Sequence, residues 1–302
     1  MIKTMQVINH LGESITLDLR RPEKSGFLIH NIDGIGPGSA IINESDLASV
    51  DGTRFNSARI SSRNIVINAY FVENPTIENA RLLSYKYFPI KKKIKLIFNT
   101  GTRSSEIEGY VERNEPIMFS SRTGTQISLV CPDPYFYASG KPHETVFYGM
   151  TPHFEFPFFN ESLTTPLINM GELENRVENN IFYAGDTDVG ITLHLRASGE
   201  VRDINIYNVK TREKMTILTA RIEALTGEPF GAGDEIIINT VKGNKYAQLL
   251  RGGLYTNILN CLERDSAWFQ LGKGDNIFAY TAEYGAINLQ FHITNRVIYE
   301  GI

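Results

Sequence analysis

The stretch Ile127-Ser128-Leu129-Val130-Cys131-Pro132-Asp133-Pro134-Tyr135-Phe136-Tyr137 decides how this 302-residue chain is organised. A branched, apolar, strand-like segment runs straight into two prolines and three aromatics. Neither proline can donate a ladder hydrogen bond, so the strand must stop near Cys131. The residue before each proline is pushed toward extended geometry. The chain therefore leaves its first half as a stiff strap whose aromatic side chains are free to pack on whatever lies beside it. This reads as a joint between two domains, residues 1–137 and residues 138–302.

Upstream of the joint the pattern is mostly strand. Met5, Val7, Ile15, Leu17 and Leu19 sit in an alternating run that reads as a hairpin with its turn near Gly12. Phe27 to Ile32 reads as a strand, followed by a loop containing Gly34, Gly36 and Gly38. Val50-Asp51-Gly52-Thr53-Arg54 is a tight-turn signal. Arg63 to Phe71 is a strong strand. The period then changes: Ile77, Ala80, Leu83 or Ser84, and Tyr87 fall at helical spacing, with Asn74 as the expected cap, Pro75 in the first turn and Pro89 beyond the end. Strands are expected again at 94–98, at 107–112 and from Pro116 to Cys131.

Downstream, short strands punctuated by Gly, Asn and Asp recur, as in a sandwich. They fall at 154–159, 191–196, 204–209, 215–220, 235–240, 245–249, 278–284, 287–293 and 297–299, with a short helical turn within 257–264.

The apolar share of 42% and charged share of 21% are those of a folded protein. A net charge of −4 leaves no basic footprint for reading nucleic acid. No stretch has signal-peptide or membrane-spanning character, so no membrane insertion is expected. Cys131 and Cys261 read as two buried thiols in different domains.

No residue is singled out as catalytic, metal-binding or cofactor-binding. The six histidines are scattered, with none paired at i,i+2 or i,i+4, and no cysteines have zinc spacing. The Gly34–Gly38 loop lacks the Lys-Ser/Thr and the helix that a phosphate loop needs. It reads as a flexible loop at a subunit contact. Asp186-Thr187-Asp188 reads as a solvated turn, and Glu106, Glu108 and Glu112 as exposed strand carboxylates. Lys91-Lys92-Lys93 follows the helix end and suits its dipole. Trp268, the one tryptophan, reads as core; the other reading has it stack on a sugar ring.

Several strings taken in order resemble the distal tail (Dit) proteins of long, non-contractile phage tails and of prophage-derived tail-like particles. They are Asp51-Gly52-Thr53 with Arg63-Asn64-Ile65, Gly109-Tyr110-Val111-Glu112 with Phe119-Ser120 and the joint, and Phe156-Pro157 with Asn169-Met170-Gly171. They continue with Gly233 to Thr240, Gly243-Asn244-Lys245, Trp268 to Asn276 and Tyr299-Glu300-Gly301-Ile302. One departure is Gly190, where the family pattern has proline.

The resemblance implies a mainly β fold. An N-terminal β-sandwich-like ring domain, with one helix and a hairpin, is followed by a C-terminal galectin-like or jelly-roll sandwich. It implies a homohexameric ring at the virion tail tip, made in the bacterial cytoplasm. The ring joins the tail tube protein to the tail-associated tip protein and to receptor-binding proteins, with DNA passing through in transit. It implies no enzyme activity and no cofactor. The rival readings are a carbohydrate-binding protein that attaches to host glycans through its C-terminal sandwich, and a cell-wall hydrolase, which would need two facing carboxylates.

Overall fold

The computed structural model describes residues 1–47, 51–152 and 171–302. The chain forms two units, Met1–Gly140 with Ile298–Ile302, and Lys141–Val297.

In the first unit, alternating residues give β1 (Thr4–Ile8) and β2 (Ser14–Asp18), joined through Gly12 in the left-handed region. Next come β3 (Phe27–Asp33), β4 (Ala40–Asp46), β5 (Thr53–Ile60) and β6 (Arg63–Phe71). Helix α1 (Ile77–Tyr87) follows. Its cap is Thr76, whose Oγ1 accepts from the Asn79 N–H at 3.2 Å. Asn74, the expected cap, instead donates its amide to the Lys24 carbonyl at 2.9 Å. Ala80 and Ser84 face inward and are fully buried.

The unit continues with β7 (Lys93–Asn99), β8 (Ser104–Ile117), β9 (Gly124–Cys131) and β10 (Phe136–Ala138). Strand β8 is one long strand with a register shift between Val111 and Arg113. The expected strand from Pro116 to Cys131 is in fact broken by the hairpin turn that joins β8 to β9. The antiparallel sheet runs β2-β1-β7-β8-β9-β6-β3. Met5, Val7, Ile65, Ile67, Leu96, Phe98, Leu129 and Phe136 are among the residues that close its core. Each such burial stabilises by roughly 1.5–3 kcal/mol relative to exposure.

The second unit opens with β11 (His143–Val146), β12 (Tyr148–Pro152), β13 (Gly171–Asn175), β14 (Glu178–Tyr183) and β15 (Val189–Gly190). The expected strand at 154–159 lies outside the described residues. Then follow β16 (Thr192–Ala197), β17 (Arg202–Asn208), β18 (Glu213–Ile217) and α2 (Thr219–Thr226). After these come β19 (Glu235–Asn239), β20 (Tyr246–Arg251), β21 (Leu254–Asn257), β22 (Gln270–Leu271), β23 (Gly274–Tyr284) and β24 (Leu289–Asn295).

A six-stranded sheet, β11-β24-β16-β19-β20-β21, packs against a four-stranded one, β14-β23-β17-β18. Tyr280 of the smaller sheet meets Phe291 of the larger at 5.4 Å, edge to face, in an arrangement typical of aromatic pairs. Alternate residues such as Leu193, Leu195, Ile236, Ile238, Ile204, Ile206 and Phe278 are fully buried. Gly190 sits where the backbone of Val241 crosses: a Cβ there would lie 2.4 Å from Val241 Cα. No alanine or proline fits this backbone at Gly190.

The chain then returns to the first unit. β25 (Ile298–Tyr299) pairs with β10, which also pairs with the first half of β8. Two readings of the joint change as a result. Past Pro134 the strap becomes a ladder strand with Phe136 buried in the core, so the boundary falls at Gly140. The last five residues, expected in the second domain, belong to the first.

Candidate functional site

The β4–β5 ribbon forms a two-stranded sheet of its own in the first unit. Its strands pair with each other from Ala40↔Ile60 to Asp46↔Thr53, with a register shift at Asn43/Glu44. They pair with no other strand among the described residues. All residues of β4 are exposed, as are all of β5 except Ile60. Ile42 is 60% exposed and Phe55 64%, with Ile41 and Leu47 also open. A lone two-stranded ribbon is marginal in water, and its two free edges and apolar side chains invite a partner.

Beside the ribbon's base, Arg63 ties the glycine loop down. It starts β6 and is only 7% exposed. Its Nε donates to the Pro134 carbonyl at 2.6 Å and Nη2 to the Glu300 carbonyl at 2.7 Å. Nη1 donates to the Gly34 carbonyl at 2.7 Å and also to that of Gly36. The guanidinium lies 4.7 Å from the centre of the Phe136 ring. Burial lowers its pKa, yet a guanidinium stays charged. The Ile302 N–H donates to Ile35 O at 3.1 Å. The loop expected to be flexible is thus held by its own carbonyls.

Gly34 has φ +82°, and a Cβ would lie 2.0 Å from the Asn64 carbonyl oxygen. Gly36 has open space, and a Cβ on Gly38 would touch Ile60 Cγ2 at 3.0 Å. Gly34→Ala is therefore expected to cost about 2 kcal/mol or more, and Gly36→Ala far less. Equal melting temperatures for the two variants would contradict this.

The strand carboxylates are committed to lysines. Lys93 Nζ lies 2.5 Å from Glu108 Oε2, and Lys95 Nζ lies 3.3 Å from Glu106 Oε1 and 3.4 Å from Glu108 Oε1. Burial opposes ionisation of Glu108, but the Lys93 hydrogen bond and the two lysine charges outweigh it and lower its pKa. A general acid needs the opposite shift. Glu112 accepts from the Ser128 hydroxyl at 2.9 Å. Both cysteines are buried and free, and burial pushes the Cys131 thiol up to about 11.

Folding brings together one pair that sequence spacing could not show. His194 of β16 and His292 of β24 are register partners whose rings stack 4.5 Å apart at 6°. His194 Nδ1 lies 2.9 Å from Glu235 Oε1, and His292 Nε2 lies 3.6 Å from Glu144 Oε1. Burial lowers the His292 pKa, with the neighbouring His194 adding to it, while Glu144 and Glu235 act the other way. The unfolded chain then binds the proton more readily than the folded one. Stability from this residue is present above the ordinary imidazole value of about 6.5 and is lost as pH falls through the lower folded value. The melting temperature of the second unit is expected to drop on acidification below pH ~6.5. The drop should be smaller in His292→Gln, and an identical drop in that variant would contradict the assignment.

Trp268 is half-buried, not core. The core position belongs to its neighbour Phe269, fully buried and edge-on to Phe278 at 5.4 Å. Trp268 instead lines an open cleft of about 760 Å³ with Arg221, Asn260, Glu263, Arg264 and Asp265. The Lys245 ammonium stands 5.1 Å from the centre of its ring.

No family model and no curated protein matches the sequence. Solved structures do match the fold. The Dit protein of phage SPP1 (gp 19.1) is described as a paradigm of the hub adsorption apparatus of phages infecting Gram-positive bacteria. It aligns over 97% of this chain and 98% of its own at a TM-score of 0.60 and 12% identity. The baseplate of phage P2 in its activated, Ca-bound conformation aligns over 100% of both chains at 0.48 and 10% identity, too loosely to argue from. The chain, mainly β and divided into two units, shares the fold of SPP1 Dit.

Proposed function

We propose that this chain is the distal tail protein of a phage tail or tail-like particle. It acts as a structural adaptor, not as an enzyme. Copies close into a homohexameric ring that joins the tail tube protein above to the tail-associated tip protein below, with receptor-binding proteins at its side. The ring leaves a channel for DNA.

The observation that carries the reading is the β4–β5 arm on a Dit-like fold. The arm has free edges and exposed Ile41, Ile42 and Phe55, which a neighbouring subunit of a ring would cover. The tied Gly34–Gly38 loop lies at the arm's base, and Gly36, with open space around it, is its point of subunit contact. Charge fits a conduit. The chain carries a net −4, and Lys93 and Lys95 are held by Glu106 and Glu108 instead of being free for phosphates.

The reading is tested by labelling particles with antibody against residues 141–297. Label is expected at the distal end of the tail only. Label on the capsid or along the whole tube would contradict it.

A further inference from the structure

We infer that the second unit carries a saccharide-binding cleft built around Trp268. The walls are set before any ligand arrives. Loop 263–267 is pinned along β18, with the Glu263 N–H donating to Thr216 O at 3.0 Å and the Ala267 N–H to Lys214 O at 2.8 Å. Arg221 of α2 donates to Asn260 O at 3.1 Å, which fixes the opposite wall. Fully buried Phe269 anchors the residue next to Trp268.

The chemistry of the lining selects the ligand. The indole supplies an apolar, electron-rich face, and sugar rings present a C–H face to such a surface. The Asn260 amide and the Glu263, Arg264 and Asp265 side chains rim the same cleft and have no side-chain partner among the described residues. They are free to meet the hydroxyls around a sugar ring. In the lining Arg221 and Arg264 balance Glu263 and Asp265, and Lys245 beside the indole leaves one excess positive charge, too little to select a polyanion. So many polar groups disfavour a purely apolar ligand. A volume of about 760 Å³ accommodates a short oligosaccharide. The inference does not depend on ring assembly, since a single copy holds the whole cleft.

The test is binding of the full chain to a printed panel of bacterial cell-wall and capsular saccharides. Wild-type protein is run beside Trp268→Ala, Trp268→Phe and Asp265→Asn. Asp265 is exposed and unpaired, so its variant keeps the fold even where Trp268→Ala does not. Expected is binding to at least one saccharide, weakened tenfold or more in Trp268→Ala and Asp265→Asn and much less in Trp268→Phe. Because Trp268 is the one tryptophan of the chain, the bound saccharide titrated in solution should also shift its emission. No bound saccharide on the panel, or binding that Trp268→Ala and Asp265→Asn both leave unchanged, would overturn the inference.

Discussion

Arg63→Ala is expected to remove about 3–5 kcal/mol from the stability of the first unit, the largest effect of any single substitution considered. The guanidinium supplies hydrogen bonds to four main-chain carbonyls, those of Gly34, Gly36, Pro134 and Glu300. It therefore joins the glycine loop, the proline strap and the returning segment after β25 at one point. Truncation leaves these acceptors without their charged donor and removes the ring contact with Phe136. Lysine cannot repair this, because one ammonium on a flexible stem does not reproduce a planar fork with donors in fixed directions. Arg63→Lys should recover less than half of the loss. Calorimetry reads the effect directly. Emission of Trp268 belongs to the second unit and should change little. A loss below about 1 kcal/mol in Arg63→Ala would show that the three segments hold together without the arginine.

The double substitution Ile42→Glu and Phe55→Glu is expected to abolish ring assembly while leaving the melting temperature almost unchanged. Both side chains are exposed in the single chain, so folding gains little from them. Covering them in a neighbouring subunit contributes roughly 1.5–3 kcal/mol each, so losing both weakens each contact by more than a hundredfold. Placing carboxylates in that interface adds a desolvation cost. A variant that melts like the wild type and remains monomeric supports the arm as the contact. A variant that still forms rings would place the contact elsewhere.

How far these features can be seen in the residues alone depends on burial. Strands with one buried face show themselves by alternation, as β1 and β16 do. The arm strands do not, because Ala40-Ile41-Ile42-Asn43-Glu44-Ser45-Asp46 has no buried face to impose a period. Helix α2 is short and buries only Thr219 and Ile222. Its one clear signal was Gly227, which closes it in the left-handed region. Trp268 and Phe269 precede β22 and lie in no strand, so no period tells which of the two adjacent aromatics is core. The Arg63 knot and the stacked His194–His292 pair join residues far apart in the chain. No local pattern encodes such meetings.

Ring assembly is read from the mass of the purified chain by light scattering. The measurement is made over a rising concentration series, alone and with the tube and tip proteins of the same particle, with negative-stain images of each sample. Particles of six copies with a central hole are expected. One copy's mass at every concentration, with no ring even beside the tube and tip proteins, would contradict it.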